Sequence, residues 1–278
     1  MGRRGAAVPL TPFQQRLLGV LAQGAVDDRY LAGGAAIHLS PTSVRYSDDL
    51  DFFHDAEARV ASAFARDREV LGAAGYTLDV ELVLPGFVRA LVSREGDATR
   101  VDWAHDSSWR FMPLVRDSAG GWLLHPVDLA INKVLALAGR DEPRDFVDTL
   151  YVHQQVLPVA GLVWAAAGKD PGLTPLSLLE LLKRRGRPRP EAIARLQLAV
   201  PFDLAEARGV WGAAIDEAEH FCRARPPAEL GCLYYHVPSG QFGVPRGDLP
   251  IAEQGFALHV GAPGGVVPRV TDAPIDAA

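Results

Sequence analysis

Cysteine, long apolar runs and surplus basic charge are what this 278-residue chain has least of. Cys222 and Cys232 are its two cysteines, with no CxxC spacing and no histidine pattern beside them, which argues against a zinc site or a disulfide scaffold. No stretch approaches the roughly 18 consecutive apolar residues of a membrane span. The opening MGRRGAAVPL carries two arginines but lacks the apolar segment of a signal peptide. A cytoplasmic protein with no membrane partner is therefore expected. Lys and Arg number 28 against 34 Asp and Glu, a formal net charge of −6. That balance excludes a broad electrostatic wrapper of nucleic acid, so any such contact has to be local.

What remains is a globular composition, 48% hydrophobic and 22% charged, ample for a sizeable core. The spacing predicts a helix from Pro12 to about Gln23 capped by Thr11, then a short strand at Tyr30-Leu31-Ala32. A second helix is expected from Ala35 to Leu39 and a second strand from Asp49. Residues 56–73 read as helix. Three strands follow at Thr77–Leu84, Phe87–Arg94 and Thr99–Trp103, with turn signals at Pro85-Gly86 and Glu95-Gly96-Asp97. Together they predict an α+β fold: a small mixed sheet with helices on one face, followed by a helical bundle and a short hairpin. The expected division is a core over residues 1–125, helices over 126–225, and a hairpin with a disordered tail over 226–278. Helices are expected at Pro190–Leu198 and Leu204–Arg223 among others, and disorder from Gly261 onward, where Gly, Pro, Ala and Asp dominate.

The chemistry concentrates in LAGGAAIHLSPTSVRYSDDLDFF, residues 31–53. Alternation along a strand puts Asp49 and Asp51 on one side, about 7 Å apart. Two carboxylates held there repel unless a cation lies between them, the outline of a metal site. Gly33 and Gly34 let the backbone approach a ligand, and amides at a helix start attract phosphate oxygens. Asp102, inside the apolar Val101-Asp102-Trp103, has to be exposed, paired or bound to metal. Asp106 competes with it from the following loop. Ser47 fits a cap on the turn into the Asp49 strand. Lys133, alone, fits a surface lysine on an amphipathic helix. The basic run Lys183 to Arg189 fits either a solvated loop or a local phosphate contact.

GG followed by R-x-S-x-D-L-D-F-F resembles the AbiEii/AbiGii-type toxin family, which includes the MenT-type toxins, within the polymerase-β-like nucleotidyltransferases. The family's usual form is GGTAL, then HR-x-S-x-DLDFF; Ala35 and Val44 stand here where threonine and histidine are usual. DLA-x2-K-x2-AL-x-GR-x-EPRDFVD resembles the family's second block, matched at Lys133, Arg140, Arg144, Asp145 and Asp148. The resemblance covers roughly residues 28–155. It implies a metal-dependent transfer of a nucleoside monophosphate from an NTP to an acceptor hydroxyl, the 3′ end of tRNA in the MenT-type branch, with a cognate antitoxin as a partner. Asp49, Asp51 and Asp102 would hold two Mg²⁺ ions roughly 3.5–4 Å apart. Gly33, Gly34, Arg45, Ser47, Lys133 and Asp145 would bind the nucleotide, with Lys133 also catalytic. Two alternatives stay open: nucleotidyl transfer to a small molecule such as an antibiotic, and a non-catalytic nucleotide-binding partner protein.

Overall fold

The computed structural model describes residues 10–23, 29–39, 43–117, 121–247 and 249–269. Helix α1 (Pro12–Gln23) begins on a reciprocal cap: the Gln14 amide donates to Thr11 Oγ1 and the Thr11 amide to Gln14 Oε1. Strand β1 (Tyr30–Ala32) runs directly into α2 (Gly33–Ile37), so the two glycines open this helix rather than precede it. β2 (Asp49–His54) and α3 (Glu57–Ala73) follow, then β3 (Thr77–Leu84), β4 (Phe87–Arg94) and β5 (Asp97–His105).

Between β4 and β5, Glu95 and Gly96 have φ of 57° and 90°, the two positive values a two-residue hairpin of matching twist requires. This turn fixes a register in which Arg89 faces Asp102. Short strands β6 (Trp109–Arg110) and β7 (Val115–Asp117) were not foreshadowed by periodicity, being too brief to show one. β8 (Gly121–Leu123) completes a seven-stranded mixed sheet of order β3-β4-β5-β2-β1-β8-β7. β2 runs parallel to β5 and antiparallel to β1.

One face of the sheet is apolar. Leu50, Phe52, Val101 and Trp103 are buried there, against α1 and α3, where Phe64 meets Trp103 edge-on at 5.1 Å. Full burial of each such side chain contributes about 1.5–3 kcal/mol. Asp67 of α3 is buried in this layer because it accepts from the Trp103 indole at 2.8 Å and pairs with Arg29.

The helical region starts with α4 (Pro126–Gly139), whose N-cap His125 accepts from the Val127 amide. It continues through α5 (Pro143–Gln155), α6 (Val159–Lys169), α7 (Pro175–Arg185), α8 (Pro190–Ile193) and α9 (Leu204–Ala224). α8 stops well short of Leu198. The Tyr46 amide donates to Gln197 and the Ala199 amide to Val44, and this pairing draws residues 197–199 out of helical geometry. β9 (Leu233–His236), β10 (Gln241–Gly243) and β11 (Phe256–His259) form a small antiparallel sheet.

The expectation of disorder from Gly261 fails for residues 261–269. Strand β12 (Ala262–Pro263) pairs with β6, and Val266 donates to the Phe111 carbonyl. Residues 270–278 lie outside the described residues. Both cysteines are free, their thiols pushed up to about 12, chiefly by burial. Among the described residues no helix is long and apolar enough to cross a membrane.

Candidate active site

The polar side of the sheet centre faces a cavity of about 530 Å³. Because β2 and β5 are parallel with Asp51 opposite Asp102, side-chain alternation sends Asp49, Asp51 and Asp102 to the same wall and the aromatic residues to the other face. All three carboxylates line the cavity. Gly33 lines it too, with φ of +62°, and a Cβ there would collide with the Asp51 carboxylate. Glycine is required twice over, for the left-handed backbone and for the close approach.

Two of the acids already have cationic partners. Arg89 donates to both oxygens of Asp102, at 2.8 and 2.6 Å. Arg144 donates to Asp49 at 3.1 Å. Asp51 is left with the repulsion: burial first, then the charge of Asp49, raises its carboxyl to about 7, with Lys133 opposing. Among the described residues no group of three His, Cys, Asp or Glu side chains is disposed to hold a metal ion as it stands.

Asp51 is therefore expected to titrate near pH 7 in the cation-free protein, followed by carboxyl ¹³C NMR. Asp49→Asn should move that titration to lower pH. The sign for stability follows from a folded value above the unfolded one. The folded state holds this proton between about pH 4 and 7, so the contribution is complete below that window and lost as pH rises through 7. A titration that stays near 4 would contradict the crowding of these charges.

The opposite wall comes from α4 and α5, which bring Lys133, Arg140 and Arg144 to the cavity. Lys133 is only 6% exposed, contrary to the surface role its helix suggested. Its ammonium pairs with Asp145 at 3.2 Å and Asp148 at 2.9 Å. Arg140 pairs with Asp145 at 2.6 Å. Asp148 also takes Arg45 in a two-bond fork, at 2.6 and 2.7 Å, and His38 Nε2 at 2.8 Å. Ser43 Oγ lies 2.8 Å from His38 Nδ1 and 2.9 Å from the Arg45 carbonyl oxygen, two groups that share its single proton. Burial keeps the imidazole neutral by lowering its pKa. On Asp148 itself burial pushes the pKa up, but Lys133 and Arg45 outweigh it and hold the carboxyl well below the usual range.

Asp49, Asp51, Asp102, Lys133, Gly33, Gly34 and Arg45 are thus brought to one cavity. Ser47 and Asp145 stand behind it. The Ser47 hydroxyl donates to the Asp49 carbonyl at 3.0 Å, the capping role its position suggested. Asp145 is fully buried between Lys133 and Arg140. Asp106, the competitor of Asp102, also reaches the cavity, 3.8 Å from Lys169. Sequence reasoning did not nominate Arg89, Asn132 or Lys169, which share the lining. Asn132 of α4 and Lys169 of α6, 37 residues apart in sequence, meet at 2.6 Å.

The fold and site define an α+β protein with an acid wall facing a basic wall across one cavity. No protein-family model matches the chain, and no curated protein matches it. Among solved structures, it is similar to JHP933 from Helicobacter pylori, at 14% identity and a TM-score of 0.48 over 76% of this chain and 91% of that one. It is likewise similar to MenT4, a nucleotidyltransferase toxin from Mycobacterium tuberculosis, at 15% identity and a TM-score of 0.49 over 78% of this chain and 83% of that one. Likeness at this level leaves the chemistry to be argued from the residues themselves.

Proposed function

We propose that this cavity transfers a nucleoside monophosphate from an NTP to an acceptor hydroxyl, with Asp49, Asp51 and Asp102 as the carboxylates that hold divalent metal. The observation that carries this reading is the convergence of three acids from two adjacent strands opposite Lys133, Arg140 and Arg144. A triphosphate needs positive charge along its length, and a transferred phosphoryl group needs neutralisation where the pyrophosphate departs. Arg140 and Arg144 supply charge from α5 and the turn before it. Lys133, fixed by two carboxylates, supplies a held charge.

Carboxylate oxygens are the donors Mg²⁺ prefers, and burial together with the neighbouring charge of Asp49 raises the Asp51 carboxyl. The donor set therefore fits a hard divalent ion, with Arg89 and Arg144 in place of part of the charge it would bring. Such an ion, bound there, would lower the pKa of the acceptor hydroxyl and neutralise the polyphosphate. Asp102 would take the acceptor proton or help to hold that ion. Gly33 keeps the backbone close enough to Asp51 to leave no room for water between them.

The acceptor we assign is an RNA 3′ end, that of tRNA, and the biological role a toxin restrained by a cognate antitoxin. The GG and R-x-S-x-DLDFF pattern supports that choice. Incubation with each labelled NTP, Mg²⁺ and total tRNA should put label into RNA. Label confined to a small molecule would replace the acceptor. Absence of any transfer, with nucleotide binding indifferent to Asp49→Ala, would leave a non-catalytic binder and end the enzymatic reading.

A further inference from the structure

We propose that Arg89 is the resident counter-cation of Asp102, which a divalent ion has to displace, and that the displaced guanidinium then serves the polyphosphate of the bound nucleotide. This rests on the reading of the cavity as a metal-dependent nucleotidyl-transfer site.

The first support is the register. The two-residue turn at Glu95-Gly96 places Arg89 directly across from Asp102 on antiparallel strands. Its fork takes both carboxylate oxygens, at 2.8 and 2.6 Å, leaving neither free of competition. The second is the contrast with the other fork in this region. The Arg45 and Asp148 side chains are 3% and 0% exposed, a permanent structural pair. The Asp102 side chain is 8% exposed, but that of Arg89 is 37% exposed. Its solvated guanidinium can leave at far lower cost, because water replaces the bonds it gives up.

The third support is where Arg89 stands. It lines the same cavity as Lys133, Arg140 and Arg144, so a guanidinium released from Asp102 remains among the groups that face a polyphosphate. Arginine suits both states, since its planar fork matches a carboxylate and a phosphate equally. The consequence is a coupling of opposite signs. Arg89 weakens the binding of a bare divalent ion, because the two cations compete for one carboxylate. It strengthens the binding of the ion with its polyphosphate, because the anion compensates the arginine.

Mn²⁺ followed by electron paramagnetic resonance tests the first half, and calorimetry with the Mn²⁺–tripolyphosphate complex tests the second. Relative to the wild type, Arg89→Gln should bind bare Mn²⁺ about tenfold more tightly and the complex severalfold more weakly, within the usual range of coupling between sites. Asp102→Asn should weaken Mn²⁺ in either background. Arg89→Lys keeps the charge and loses the fork; it should bind bare Mn²⁺ severalfold more tightly and decides the matter if Arg89→Gln does not fold by circular dichroism. Equal Mn²⁺ affinity in variant and wild type overturns the competition while leaving the carboxylate site in place. Tighter binding of both probes overturns the transfer of Arg89 to the polyphosphate. No Mn²⁺ binding to any of these proteins, with or without tripolyphosphate, overturns the functional reading and this proposal with it.

Discussion

Asp49→Asn is expected to lower nucleotidyl transfer by at least about a hundredfold, the scale for removing one charge-stabilising group from a preorganised site, while the protein stays folded. The two halves of the prediction have separate causes. Asparagine keeps the size of the side chain and one oxygen, but not the charge that a divalent ion needs from its ligand. The fold loses little, because the Asp49 side chain is 21% exposed and, among the described residues, makes one ion pair, to the 26% exposed Arg144. Pairs of that exposure contribute only about 0–1 kcal/mol. Removing the charge also relieves Asp51, whose carboxyl is pushed up partly by Asp49, so the midpoint of thermal unfolding at pH 8 should hold or rise. Initial rates with labelled NTP, beside a melting curve, give both numbers. Ordinary turnover in the variant removes Asp49 from the chemistry. Lost turnover with a collapsed melting curve would make its role structural.

How much of this was legible beforehand differs by element. Strand β2 was legible because DLDFF alternates acid with apolar residues, and alternation is a local signal that one buried face enforces. The starts of α1 and α4 were legible because Thr11 and Pro126 mark helix starts. α8 was overextended because the competing partner of residues 197–199 lies about 150 positions away, beyond the reach of any local pattern. Lys133 was placed at the surface by itself, since an amphipathic lysine usually sits there. What buries it is a pair of acids on the next helix, and that is a property of packing. Arg89 is different, because its signal was present. Once Glu95-Gly96 is taken as a two-residue turn, counting outward along both strands from Arg94 and Asp97 pairs Arg89 with Asp102.

Asp148→Ala is expected to destabilise the fold by about 3–5 kcal/mol, the range for breaking a buried ion pair from one side. Asp148 is fully buried and answers three groups at once: Arg45 from the segment before β2, His38 just past α2, and Lys133 from α4. Deleting it strands the Arg45 guanidinium, which is 2% exposed, and removes one of the two acids that hold Lys133. Both cations are largely buried, Arg45 at 2% and Lys133 at 6% exposed, so water replaces little of what the carboxylate gave them. The free energy lost is that of two poorly solvated charges rather than of the bonds themselves. Asp145 cannot substitute, since Arg140 and Lys133 already occupy it.

Urea unfolding at pH 7 measures the loss, and its pH dependence identifies the cause. The folded carboxyl sits well below its ordinary value, so the stability it contributes is complete above about pH 4 and is lost as pH falls through the depressed value. Wild type should therefore lose stability on the acid side more steeply than Asp148→Ala, and the two curves should converge. Asp148→Asn keeps the shape and some of the hydrogen bonds, and should fall between them at neutral pH. A shift under about 1 kcal/mol for Asp148→Ala, the ordinary effect of a point substitution, would mean that the cations relax to other partners. α5 would then not be locked by charge to His38 past α2 and to Arg45 before β2. The same lock also explains the geometry of the site: Lys133 reaches the cavity wall from a buried position because Asp148 holds it from behind, on the side where Arg45 fixes the approach to β2.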